Sequence, residues 1–135
     1  MATIRSKYLG DLRTESEHIG SGTKLLTDAP LDNKGKGEAF SPTDLLATSL
    51  GTCILTTMAI AADTHGIDMV GTDMNITKLM SSNPRKVKEV LVEVYFPKDY
   101  TEKEKTILEK AALTCPVHLS LHPETEKTIH FHYKG

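Results

Sequence analysis

A chain of 135 residues, 39% of them apolar and 25% charged, has the composition of one soluble globular domain, expected to span residues 1–135. Eighteen acidic residues against 16 basic ones give a formal net charge of −2, so no basic field is present to capture nucleic acid or an anionic membrane surface. Aromatic residues make up 5% with no Trp, which argues against a stacking platform, and 2 cysteines are too few for a disulfide-built secreted scaffold.

The residues from Met1 to Lys7 carry no apolar stretch of the signal-peptide kind, and a reducing cytoplasm is the expected location. There, Cys53 and Cys115 are either two inert buried thiols or a redox device. Ile4–Leu12 and Thr23–Thr27 read as short strands, with Gly20-Ser21-Gly22 as a turn signal between strand-like pieces. Residues 28–39 are polar and Gly-rich and read as a mobile connection; their Gly-Lys-Gly lacks the spacing of a phosphate-binding loop.

Ser41 then offers an N-cap, Pro42 suits a first turn, and Asp44 completes a Ser-x-x-Asp box. The helix is expected to run to His65, with Gly66 as left-handed cap and Ile67 as its apolar follow-on contact. Leu45–Ala62 carries no charge, which meets the lower length limit for a bilayer span. Its interspersed Thr, Ser and Gly, the flanking Asp44 and Asp63 and the lack of aromatic anchors favour the buried centre of a soluble assembly instead. Roughly 24 helical residues extend about 36 Å, against a diameter of about 37 Å for a compact domain of this size. One small domain can scarcely cover such a helix on all sides, so an obligate dimer is expected.

Met69–Met80 and Val87–Phe96 read as strands joined around Asn83-Pro84, with Val90, Val92, Val94 and Phe96 on one face. Thr101 to Glu104 forms a second capping box, opening a helix whose apolar face is Ile107, Leu108, Ala111 and Ala112. Cys115 continues that face, Pro116 restarts a short helix through Leu121, and Pro123 stops it. Lys127–Tyr133 closes as a strand with Ile129, Phe131 and Tyr133 inward.

Cys53 lies mid-helix among Leu50, Ile54, Leu55 and Met58, where a thiol commonly serves as a small buried hydrophobe. A reactive role needs something to stabilise the thiolate, because burial alone raises its pKa. Arginine is scarce: Arg5, Arg13 and Arg85, of which Arg13 sits among strand-like residues that could cover the central helix. Cys115 lies where one helix ends and the next begins. A rival constellation is Cys115-x₂-His118-x₃-His122, a zinc-like spacing without an evident fourth ligand, although His130 and His132 share one face of the last strand.

The run from Ser41 to Cys53 (Ser-Pro-Thr-Asp-Leu-Leu-Ala-Thr-Ser-Leu-Gly-Thr-Cys), followed by Cys115-Pro116-Val117-His118, resembles the OsmC/Ohr family of osmotically inducible and organic-hydroperoxide-resistance proteins. Further matches from Tyr8 to Arg13 and in the final strand extend the resemblance over nearly the whole chain. It implies an α+β fold with antiparallel sheets wrapped around long central helices in an intertwined homodimer. It also implies cysteine-based reduction of hydroperoxides without metal, haem or flavin. By position, Cys53 resembles the peroxidatic thiol, Cys115 the resolving thiol, and Arg13, with Arg5 as the alternative, the arginine that lowers the thiolate pKa and polarises the peroxide. A dithiol reductant, such as a lipoyl group, is the implied partner. Hydroperoxide-reducing members carry a Glu where this chain has Thr43; Asp44 is adjacent but also claimed by its capping box, and Glu38 is a candidate substitute from the loop. The reading from another class is a non-catalytic dimeric redox-sensing or small-molecule-binding protein with buried thiols.

Overall fold

A computed structural model describes residues 1–134 and begins with three antiparallel strands, β1 (Ile4–Gly10), β2 (Arg13–His18) and β3 (Lys24–Asp28), in the order β1-β2-β3. The expected strand Ile4–Leu12 breaks at Asp11-Leu12. Gly10 pairs with Arg13 across these two residues, whose φ of 54° and 63° give the mirror-image turn favoured in two-residue hairpins. The backbone N–H of Leu12 donates to the Tyr8 hydroxyl at 3.2 Å. The next reversal falls at Gly20–Gly22 as expected, with Gly22 at φ 76° and its N–H bonded to the His18 carbonyl at 2.7 Å.

Residues 28–39, expected as a polar, Gly-rich connection, carry local structure. A 3-10 turn covers Leu31–Asn33, and Thr27 bridges Phe40. A Cβ on Gly35 would lie 1.7 Å from the Ala29 carbonyl oxygen, so only glycine permits that approach. Chain contacts divide the protein into residues Met1–Leu46 and Ala47–Gly135.

Helix α1 (Pro42–Thr64) starts on the expected box. The Asp44 N–H donates to Ser41 Oγ at 3.1 Å, and the Ser41 N–H to Asp44 Oδ2 at 2.9 Å. It stops at Gly66 (φ 68°), where the Ile67 N–H reaches back to the Ala62 carbonyl at 2.8 Å. α1 is long and apolar enough to cross a membrane, with mean hydropathy 1.8 in its most apolar stretch. Only one stripe of it is buried (Ala47, Leu50, Gly51, Ile54, Met58, Ala62), while Leu55 and Ala59 are half-buried and Ile60 is 64% exposed. Cover on all sides is therefore not found within one chain.

That stripe lies on a second sheet of β4 (Asp73–Ser81), β5 (Lys86–Tyr95) and β6 (Glu126–His132), ordered β4-β5-β6. A Cβ built on Gly51 would come within 2.3 Å of Ile76 Cδ1 and 2.9 Å of Met74 Sδ, so the β4 side chains pack directly against the helix backbone there. β4 begins at Asp73 rather than Met69, because Gly71 at φ 95° and the Thr72-to-Met69 hydrogen bond form a turn first. Val90, Val92 and Val94 on β5 are fully buried, in the alternation expected of one core face.

β4 and β5 are antiparallel but β6 runs parallel to β5, which corrects the expectation of wholly antiparallel sheets. The reason is the crossover between them: α2 (Glu102–Ala112) and α3 (Pro116–Ser120) return the chain to the end from which β5 started. α2 opens on the expected Thr101/Glu104 capping box and buries Leu108 and Ala112. Ile129, Phe131 and Tyr133 are half-buried, with exposed His130 and His132 alternating between them.

Candidate active site

Cys53 projects from the middle of α1 and is half-buried; Cys115 is fully buried at the junction of α2 and α3. The sequence positions Cys115 by helix grammar. Leu113 caps α2, Pro116 occupies the first turn of α3 where no N–H is needed, and Cys115 becomes the N-cap. Its Sγ accepts the His118 N–H at 3.3 Å.

The two thiols influence each other's ionisation, and their environments drive them in opposite directions. Burial pushes Cys53 up, but the Cys115 thiol, the Val117 N–H and the Thr57 hydroxyl together outweigh it, so Cys53 titrates below an ordinary thiol. Cys115 is pushed up by burial and by the proton it lends to Cys53, and the His118 and Val117 N–H groups offset this only in part. The arrangement suits a Cys53 thiolate facing a Cys115 thiol. Such divergence marks which group donates and which accepts.

Arg13, in residues 1–46, opens β2 opposite Asp28 of β3. Its Nη2 lies 3.5 Å from Asp28 Oδ2 and also pairs with Glu38. The Glu38 N–H donates to the same Asp28 oxygen at 3.0 Å, which ties the loop to the strand. The Asp28 side chain is fully buried, and its Oδ1 has no hydrogen-bond partner among the described residues. Glu38 thus brings a carboxylate to Arg13, while Thr43 Oγ1 meets Ser41 Oγ at 3.2 Å and Asp44 serves the helix cap. Arg5 lies opposite Glu17 across β1 and β2, and Arg85 follows Pro84 in the β4–β5 turn. Arg13 and the thiols belong to different units of the chain.

A model of the OsmC-like protein family matches residues 35–130 of this chain. The chain belongs to the OsmC family. A candidate osmotic-stress-induced and detoxification response protein from Psychrobacter arcticus is 47% identical, with TM-score 0.94 over 98% of this chain and 96% of that one. An OsmC-like protein from Mycoplasma pneumoniae (20% identity, TM-score 0.78, 98% and 96% covered) shares the fold. So does an organic hydroperoxide resistance protein OsmC from Legionella pneumophila (19%, 0.76, 98% of each chain). No curated protein matches the chain significantly.

The histidines of this OsmC chain do not assemble around Cys115. His118 is half-buried, its imidazole pushed down by burial and then by Lys127. His122 lies 3.9 Å from Glu124, and His132 stacks on Tyr95 and lies 3.6 Å from Glu93. Among the described residues, no three His, Cys, Asp or Glu side chains converge as metal ligands. Sequence reading missed three participants: Thr57, the Val117 N–H and Asp28. The Cys-x₃-Thr spacing, which puts both side chains on one helix face, was the available signal for the first.

Proposed function

We propose that this OsmC protein is a cytoplasmic thiol-dependent peroxidase for organic hydroperoxides, built on Cys53, Cys115 and Arg13. The observation that carries the reading is a half-buried Cys53 with the Thr57 hydroxyl 4.0 Å from its Sγ and a buried Cys115 capping α3, surroundings that lower Cys53 and raise Cys115. The Cys53 thiolate attacks one peroxide oxygen and the O–O bond breaks. The alcohol leaves with a proton, and Cys53 becomes a sulfenic acid. Cys115 sulfur then attacks Cys53 sulfur; its proton and the sulfenic hydroxyl leave as water, and a disulfide remains. A dithiol, with a lipoyl group as the favoured class, returns both thiols by exchange and is itself oxidised. Arg13 is assigned to polarising the peroxide, with Glu38 in place of the family carboxylate.

The apolar neighbours of Cys53 support an organic over a small polar peroxide, as does the hydroperoxide-resistance role named for the Legionella relative. Two copies form the working unit, because α1 leaves Ile60 and its neighbours open and the first sheet leaves Ile4, Tyr8, Leu25 and Leu26 exposed. We take each chain of 135 residues as one domain of that dimer. Adding one equivalent of an organic hydroperoxide to the reduced protein should yield a Cys53–Cys115 disulfide by peptide mapping. Cys115→Ser should instead accumulate a sulfenic acid at Cys53 that dimedone traps. Unmodified Cys53 in both proteins contradicts the proposal.

Full burial of Cys115 and Thr43 in place of Glu favour a second reading, a redox sensor that oxidises once without turnover. Repeated cycles with a dithiol separate the two.

A further inference from the structure

α1 carries several threonines, and their hydroxyls behave differently. Thr52, Thr56 and Thr64 donate to carbonyls of their own helix four residues back, at 2.8, 2.9 and 3.1 Å. That is the ordinary habit of a helical Thr, satisfying the hydroxyl without outside help. Thr57 departs from it. Its Oγ1 lies 4.0 Å from Cys53 Sγ, one turn away on the same face, and both residues are half-buried. We infer that the Thr57 hydroxyl is a dedicated donor to the Cys53 thiolate, a positioning residue that holds the sulfur charged and aimed; this rests on the reading of Cys53 as the reactive thiol.

The chemistry gives the contact a direction. A neutral thiol can donate to or accept from a hydroxyl, whereas a thiolate only accepts, so ionisation obliges Thr57 to donate. The bond then becomes charge-assisted and shortens, and a long contact at rest is common for groups that tighten only in the reacting state. The groups acting on the sulfur come from two elements: the Cys115 thiol and Val117 N–H at the start of α3, and Thr57 from α1 itself. The Cys115 S–H is consumed when Cys115 joins Cys53 in a disulfide and must be re-formed after each reduction. Thr57 sits on the same rigid helix as the nucleophile, so its donor stays in place throughout.

The test is the pH dependence of Cys53 alkylation by iodoacetamide in the full-length protein, read by mass spectrometry of the Cys53 peptide. Thr57→Val keeps the β-branch and removes the hydroxyl. Its midpoint should rise by about half to one pH unit, with alkylation on the acid side slowed roughly three- to tenfold. Thr57→Ala, with a better helix former, should show the same shift and guards against a folding defect in the Val variant. Thr57→Ser should titrate like the wild type. A midpoint unmoved in Thr57→Val and Thr57→Ala overturns the inference, as does Thr57→Ser moving as far as they do, since the methyl would then be what matters. Alkylation does not involve peroxide. A wild type with a reactive Cys53 that leaves hydroperoxide untouched would therefore remove the peroxidase reading and leave the Thr57 result standing.

Discussion

At the scale of single residues, the asymmetry of the thiol pair makes a prediction with a definite sign. Cys53 titrates low because Cys115 and Val117 donate to its charged form, so Cys115→Ala removes a donor and should move the Cys53 alkylation curve toward higher pH. A lowered Cys53 favours the folded state above the unfolded thiol pKa and loses that contribution as pH falls through the folded value. A raised Cys115 disfavours folding above the same unfolded pKa. The two oppose each other in alkaline solution, so reactivity rather than stability reports the pair.

Arg13→Ala strips the buried Asp28 carboxylate of its cation and should destabilise the protein by about 1–3 kcal/mol in denaturant unfolding, less than for a fully buried pair because Arg13 is partly exposed. Chemically distinctive residues were legible before any fold: two cysteines, a scarce arginine, and Glu38 as a loop carboxylate. Thr57 and Asp28 were not, because a Thr in a helix and an Asp in a strand are common, and only side-chain direction and burial set them apart.

At the scale of elements, the helix ends were readable because capping is local chemistry. Ser41 with Asp44, Thr101 with Glu104, and Gly66 with Ile67 each act within a few residues. The β1–β2 hairpin was not readable. Asp11 and Leu12 both take positive φ without the Asn-Gly chemistry that marks such turns. The parallel pairing of β6 depends on where α2 and α3 deliver the chain, which no local signal records. Gly51 marks a close contact between α1 and β4. Gly51→Ala would improve helix propensity by about 1 kcal/mol yet drive a methyl into Ile76 and Met74. Overpacking of this kind costs about 1–3 kcal/mol. A net loss in the denaturation midpoint is expected, with little change in slope.

At the scale of the whole molecule, the uncharged run from Leu45 to Ala62 already implied more cover than one chain supplies, and α1 is indeed buried on a single stripe. Ile60 stands 64% exposed on the open side. If two copies form the proposed dimer through that face, Ile60→Glu should leave a monomer in sedimentation velocity while helical circular dichroism persists, because a charge there cannot be buried without a partner. Exposed Ile4, Tyr8, Leu25 and Leu26 on the first sheet belong to the same pattern of apolar surface awaiting cover.

The central claim is that Cys53 turns over hydroperoxide. Its most direct test is stopped-flow consumption of an organic hydroperoxide by wild type and Cys53→Ser, each supplied with dihydrolipoamide. Multiple turnovers are expected from the wild type and only the uncatalysed background from Cys53→Ser. A wild type no faster than Cys53→Ser would contradict it.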